Sequence, residues 1–436
     1  MRDLLRLLPR SQTVVAVGPT GCGKTVIGAT VVRRTWARVL WLAHRIELLE
    51  QARAEIIGAG VPEDRVGLLS GKLQSNTSAP VLVASVDMFN NEARTVPSAD
   101  LVVIDEAHHV AAESYRAILE ALPNARVLGL TATPQRLDGR PMTFFKRLYV
   151  IAETAELIAD GYLLKASVYG IPKEKAQELV RHAGIVHGRK DYSGKWLEVS
   201  MKKAPLMGDI VSEWQRLAKD ERTIVFACSR DHGLAIAERF ADAGARTAYL
   251  DAYTPRESRD ELLSRTGKLV KGSIRVVVNV GVLTEGFDCP PVSCVIVARP
   301  TKSLGLWRQM CGRGARPAEG KDRFLVLDHA GNTWRHGFPD STIDWTLDGM
   351  PRGKGDQTLK LCPVCRLVIS SGTLYCPQCG SEQPHDAGML AEQAARLELL
   401  RQTEGELERK RRILHRLAKL RGKDEKWVTK ALARVV

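Results

Sequence analysis

The sequence predicts an α/β protein with two parallel sheets in tandem, followed by a small four-cysteine module and a helical tail. Three observations carry this prediction. Short apolar runs alternate with helix-spaced segments over residues 1–155, and the same alternation resumes over 206–345. The stretch Gly18-Pro19-Thr20-Gly21-Cys22-Gly23-Lys24-Thr25 follows the first apolar run directly. Two C-x-x-C pairs sit in residues 355–384, ahead of a polar segment, 385–436.

The first run, Thr13–Val17, reads as a buried strand, and the segment after Thr25 continues as a helix. Strand, glycine-rich loop and helix form the setting in which backbone N–H groups converge on a phosphate, aided by the helix N-terminus. Gly18 to Gly23 would then line the phosphates of a nucleotide such as ATP. Lys24 would reach the β- and γ-phosphates, and the Thr25 hydroxyl would sit on Mg2+. Further strands are expected at 38–43, 81–85, 100–104 and 125–130. Ligands of parallel sheets bind beyond the carboxyl ends of the strands. There the sequence places Asp105-Glu106-Ala107-His108 and Thr131-Ala132-Thr133. Asp105 suits Mg2+, and Glu106 suits orienting or deprotonating an attacking water. One acidic residue at a strand end is as readily a solvated loop or a helix cap. The pair gains meaning from the phosphate loop upstream.

Residues 156–205 read as a linker with a small insertion, because Gly161 to Lys203 lacks clear periodicity. The second half repeats the strands at 223–228, 246–250, 273–280, 292–298 and 323–328, with a helix over 231–243. This sheet has no phosphate loop. It offers arginine instead, in the Q-x-x-G-R-x-x-R spacing from Gln309 to Arg316. Cys362, Cys365, Cys376 and Cys379 have the spacing of a closed tetrahedral Zn2+ site, with iron–sulfur ligation as the rival. The tail carries a stripe at Leu390, Ala394, Leu397 and Leu400, a basic run at Arg409 to Arg412, and Trp427. The run suits phosphates or a solvated helix face equally.

The bulk numbers agree. At 436 residues the chain is too long for one core. A formal net charge of +14 favours a polyanionic partner, nucleic acid before membrane. No apolar run approaches membrane-spanning length, and Leu4 to Leu8 is interrupted by Arg6, unlike a secretory leader. Nine cysteines, five of them scattered singly, suit a reducing compartment, so a cytoplasmic location, on a nucleoid or in a host cytoplasm, is expected.

On these residues the chain resembles the superfamily 2 helicases. Gly18–Thr25, Asp105–His108 and Thr131–Thr133 resemble motifs I, II and III. Leu42-Ala43-His44-Arg45 with Gln51 resembles motif Ia, and Ala84-Ser85-Val86 the next backbone-contacting motif. Phe226 to Arg230 resembles motif IV, Leu283 to Asp288 motif V, and Gln309 to Arg316 motif VI. The resemblance covers roughly residues 10–335 and implies two RecA-like domains and ATP-driven movement on nucleic acid, DNA before RNA. It implies His44, Arg45, Ser85, Thr133 and Thr284 on the nucleic acid. Around the nucleotide it implies Lys24, Asp105, Glu106, His108, Gly286, Asp288, Gln309, Arg313 and Arg316. The two arginines are expected to reach across to the nucleotide. The His108-His109 box and four-cysteine ribbon look most like RadD-type and phage UvsW-type repair and recombination helicases. The family's upstream adenine-reading glutamine motif has no comfortable room before Gly18. An ATP-switched binder, a duplex translocase without strand separation and an RNA helicase are the alternatives. The ribbon or tail is expected to offer a surface for a protein partner.

Overall fold

The computed structural model describes residues 2–8, 12–35, 38–71, 73–90, 95–110, 113–134, 141–181, 191–192, 204–264, 267–348, 352–353 and 358–383. It divides into two compact units, Met1–Val368 and Ile369–Val436. The first holds both large sheets. The tail features at Leu390–Leu400, Arg409–Arg412 and Trp427 lie outside the described residues.

The first sheet contains β1 (Thr13–Val17), β2 (Val39–Ala43), β3 (Val66–Leu69), β4 (Gln74–Ser75), β5 (Val81–Ser85), β6 (Leu101–Asp105), β7 (Arg126–Thr131) and β8 (Arg147–Val150). Their order is β4-β3-β5-β2-β6-β7-β1-β8. Every pairing is parallel except that of β3 with β4. Successive side chains of a strand point to opposite faces. Val14, Ala16, Val39, Trp41, Val81, Val83, Leu101 and Val103 pack into one core. Val15, Val17, Leu40, Leu42, Leu82, Ala84, Val102 and Ile104 pack into the other. Two covered faces explain why these strands are apolar throughout rather than alternating.

The second sheet contains β9 (Ala166–Gly170), β10 (Thr223–Ala227), β11 (Thr247–Leu250), β12 (Val276–Asn279), β13 (Cys294–Ala298) and β14 (Phe324–Asp328). It runs β11-β12-β10-β13-β14-β9, all parallel. One of its faces is filled by Phe226, Trp307, Met310 and Phe324.

The five strands expected in each half are present, and each sheet has more. β3, β4 and β8 extend the first sheet at its edges. The larger difference is β9, which lies inside the stretch expected as a linker. It pairs with β14 from Ala166↔Phe324 to Gly170↔Asp328 and buries Val168 and Tyr169. Its sequence, ASVYG, is short and three of its five residues are small, so only pairing makes it a strand. The helix Lys173–Val180 follows within the same stretch.

Candidate active site

The expected site residues leave the carboxyl ends of their strands as the topology requires. β1 leads into Gly18, β2 into His44, β5 ends at Ser85, β6 at Asp105 and β7 at Thr131. In the phosphate loop Gly21 and Gly23 take φ +93° and +81°, a region open to glycine and costly for other residues. The helix Lys24–Thr35 begins on the loop's lysine. Lys24 Nζ donates to the carbonyls of Gly18 at 3.1 Å and Pro19 at 3.2 Å. The ammonium therefore rests on its own loop, poised over the concavity a phosphate would fill.

Glu106 follows β6 in a left-handed conformation, φ 51° and ψ 56°. For a non-glycine residue this costs about 1–3 kcal/mol and persists only where surroundings enforce it, commonly at functional sites. Asp105 and Glu106 are both buried. Burial, with the neighbouring Glu106 charge, pushes the Asp105 carboxyl up to about 7. Burial would raise Glu106 as well, but the His108 imidazole, with Nδ1 3.4 Å from Glu106 Oε2, outweighs this and holds it low. Asp105 Oδ2 is buried with no hydrogen-bond partner among the described residues. An unpartnered buried carboxylate oxygen near the phosphate loop fits a divalent cation. Thr25 and Asp105 are the residues that would hold Mg2+, which when bound would neutralise charge on the β- and γ-phosphates.

The second sheet meets this loop directly. The helix Leu304–Gly312 carries Gln309, and Arg313 follows it. A Cβ added at Gly312 would stand 2.7 Å from Thr20 Cβ, so the helix end lies hard against the loop. A Cβ at Gly21 would stand 3.3 Å from Arg316 Nε. Arg316 is also paired with Asp288. Arg313 donates to the Thr284 carbonyl at 2.6 Å and to the Phe287 carbonyl, while its Nε has no partner among the described residues. Burial pulls its guanidinium down to about 10, against the attraction of Glu106. A cavity of about 680 Å3 is lined by Gly21, Lys24, Thr25, Glu106, Arg313 and Arg316 among others. That is ample for a nucleotide.

Three expectations change in detail. Thr133, expected on nucleic acid, is buried, and a Cβ at Gly305 would stand 2.5 Å from its Oγ1. His44 and Arg45, also expected there, reach the second sheet. Arg45 donates to the carbonyls of Val282 at 2.9 Å and Gly281 at 3.2 Å. His44 Nε2 lies 2.9 Å from Glu285 Oε2. Gln309 is buried within its helix and does not line the large cavity. Ser85 is half-buried at its strand end, and Thr284 is buried. Gly286 takes φ +70° beside Leu48.

Three residues escaped sequence reasoning. Glu285 and His109 lie inside stretches already singled out, but nothing local tells that they meet, at 3.5 Å. Lys321 has no sequence signal at all. Its Nζ donates to the carbonyls of Arg316 (2.6 Å), Gly314 (2.7 Å) and Pro290 (2.9 Å), tying the arginine-bearing turn to the loop after Asp288. Burial lowers this ammonium to about 8.

Cys362 and Cys365 lie in one turn, and Cys376 and Cys379 in another. Each pair is a tight knuckle. Arg366 N–H donates to the Cys362 carbonyl at 2.9 Å with Arg366 at φ 65°. Gly380 N–H donates to the Cys376 carbonyl at 2.8 Å with Gly380 at φ 69°. Two like knuckles of soft sulfur donors fit Zn2+. The first knuckle is fastened to the second sheet, where Gly170 N–H donates to the Arg366 carbonyl at 3.2 Å.

Comparison with known proteins agrees with this geometry. Residues 2–136 match the family described as Type III restriction enzyme, res subunit, and residues 203–318 match the helicase conserved C-terminal domain. A 51.5 kDa protein of a Lactococcus phage is 30% identical over 373 residues, 84% of this chain and 77% of its own length. A candidate ATP-dependent helicase of Saccharomyces cerevisiae, IRC3, is 29% identical over 336 residues. That match covers 72% of this chain but only about half, 47%, of IRC3. Among solved structures, a fragment of a candidate HsdR subunit of a type I restriction enzyme from Vibrio vulnificus shares the fold, with TM-score 0.58 and 21% identity. It covers 80% of this chain and 65% of that one. Phosphate loop, acidic strand end and cross-cleft arginines, in these matched segments, make the chain a member of the ATP-dependent superfamily 2 helicases.

Proposed function

We propose that this chain is a DNA-stimulated ATPase that moves along DNA, with or without strand separation. The observation that carries the reading is the seating of Gly312 and Arg316 against Thr20 and Gly21. Each half alone lacks part of the hydrolytic set. Lys24 and the loop amides would hold the triphosphate, Glu106 would orient the attacking water, and Arg313 and Arg316 would neutralise charge on the departing phosphoryl group. An arginine supplied this way is worth about 10³ to 10⁵ in rate. Hydrolysis then depends on closure of the two sheets, and nucleic acid gripped by both would be moved as they open and close.

DNA is favoured by the net charge of +14 and by a family named for a restriction enzyme. The comparisons support the superfamily rather than its RadD-type or UvsW-type branch in particular. A repair or recombination setting, in the cytoplasm on nucleoid or host DNA, is our reading from the histidine box and the ribbon. Among the described residues no helix is long and apolar enough to cross a membrane. We read 1–155 and 206–345 as the motor domains, with Ala166–Gly170 joined to the second, 355–384 as a structural zinc ribbon, and 385–436 as a tail. The ribbon and tail are the candidate surfaces for a protein partner.

The test is ATPase rate at stated salt with single-stranded, duplex and forked DNA and with RNA, run beside strand-separation and triplex-displacement assays. Stimulation by DNA with triplex displacement supports the motor. ATP-dependent binding without movement would reduce the chain to a switched binder, and stimulation by RNA alone would overturn the choice of DNA.

A further inference from the structure

Glu285 reaches from the second sheet into a group of histidines on the first. Its carboxylate lies 2.9 Å from His44 Nε2, 3.4 Å from His108 Nε2, 3.5 Å from His109 Nε2 and 3.7 Å from Arg45 Nε. The three imidazoles lie close together and tilted, with ring centroids 4.5 Å apart for His44 and His109 and 4.2 Å for His108 and His109. Glu285 and His108 are buried. A buried carboxylate among imidazoles is costly unless each partner is placed to donate.

His108 connects this group to the hydrolytic centre. Its Nε2 faces Glu285, while its Nδ1 faces Glu106 Oε2 at 3.4 Å and Thr131 Oγ1 at 3.3 Å. A neutral imidazole has one donor nitrogen; it serves two carboxylates only when both nitrogens carry protons. With Glu285 in place, the ring has reason to hold a proton on each nitrogen and so to present a positive charge to Glu106. Burial pulls the imidazole down, but the two carboxylates outweigh it and push it up to about 9. Without Glu285, one proton is enough for the ring, and Glu106 loses the charge beside it. Thr131 in turn is bonded to Thr133, whose hydroxyl lies under the helix Leu304–Gly312.

We propose that Glu285 is a positioning residue: on closure of the two sheets it takes hold of His108 and thereby sets Glu106 in its hydrolytic orientation. The proposal rests on the motor reading above and deepens it. The arginines make hydrolysis require closure by supplying charge. Glu285 makes it require closure a second time, by aligning the carboxylate that handles the water.

The test uses the full chain and reads kcat and KM for ATP, with and without saturating DNA. Glu285→Gln keeps the side-chain shape and removes the charge. It should lower kcat about 10- to 100-fold with KM for ATP changed less than about threefold, a part of the about 10²- to 10⁴-fold that a positioned proton-transfer group contributes, since Glu106 itself remains. The nucleic-acid stimulation ratio should fall toward one. His108→Gln should show a similar loss, and the double variant should be little worse than either single, since both act on Glu106 through one path. Glu50→Gln removes another cross-sheet pair, Arg256 to Glu50 at 2.7 Å, without touching a histidine, and should shift KM more than kcat. Parental kcat in Glu285→Gln, fully additive losses in the double variant, or an equal kcat loss in Glu50→Gln would each overturn the proposal. If the parent chain itself shows no DNA-stimulated ATPase, the motor reading fails instead.

Discussion

Gly312→Ala is the smallest change that separates the two sheets without removing a charged group. The added Cβ would stand 2.7 Å from Thr20 Cβ, 3.2 Å from its Cγ2 and 3.3 Å from its Oγ1. Carbon atoms settle at about 3.5–4.0 Å, so one surface must withdraw by about 1 Å. Overpacking of this kind costs about 1–3 kcal/mol. Thr20 and Gly312 belong to different sheets, so the strain can be relieved by opening the cleft instead of distorting a core. At about 1.4 kcal/mol per decade the closed arrangement becomes roughly 5- to 150-fold rarer. The expected result is a kcat lowered within that range at saturating ATP and DNA, with a melting temperature within a few degrees of the parent. Adding Thr20→Gly, which removes the opposing Cβ, should restore part of the rate if the loop tolerates it. Parental kcat in Gly312→Ala would show that hydrolysis does not need this contact and would sink the argument for closure. A rate loss accompanied by a large fall in melting temperature would show that the glycine serves packing within its own sheet.

Other outcomes can be checked in parallel. Lys24→Ala and Glu106→Gln should abolish steady-state ATP turnover, and Arg313→Ala should lower it by at least about 10³, as read by phosphate release. Burial holds His329 and His336 down at about 4 each, His329 further disfavoured by Arg366 and His336 partly offset by donation to the Thr301 carbonyl at 2.9 Å. The unfolded chain takes up these protons near pH 6.5 and the folded one does not, so stability is full above 6.5 and is lost as pH falls toward 4. Each histidine should remove about 2 kcal/mol between pH 7 and pH 5, seen as a lower urea midpoint, with a shallower slope in His329→Gln. Chelation should expose Cys362, Cys365, Cys376 and Cys379 to alkylation while leaving ATPase largely intact, and Co2+ in place of Zn2+ should give a tetrahedral thiolate spectrum. Loss of all ATPase on metal removal would contradict an independent structural ribbon.

The phosphate loop, the Asp105–Glu106 pair and the Gln309–Arg316 stretch were legible because their chemistry depends on spacing within one turn or loop. Neighbours in sequence must be neighbours in space there, so residue type and order are enough. The apolar strands were legible for a related reason, since burial on both faces leaves a continuous hydrophobic run. β9 was not legible, because ASVYG becomes a strand only when β14 offers it a hydrogen-bonding edge. The same limit governed His44 and Arg45. Their type suits a phosphate backbone, and local sequence cannot say that Val282 and Glu285 stand opposite them.

By itself, then, the sequence determined which atoms could meet a triphosphate, which thiols could share a metal, and that two parallel sheets would carry the chemistry. Tertiary structure alone decided which residues face one another across the cleft: Gly312 on Thr20, Arg316 on Gly21, and Glu285 on three histidines. These partners are far apart along the chain. Their meeting is set by the packing of whole sheets, where each pairwise preference is weak and the summed burial is large, and no local pattern records it.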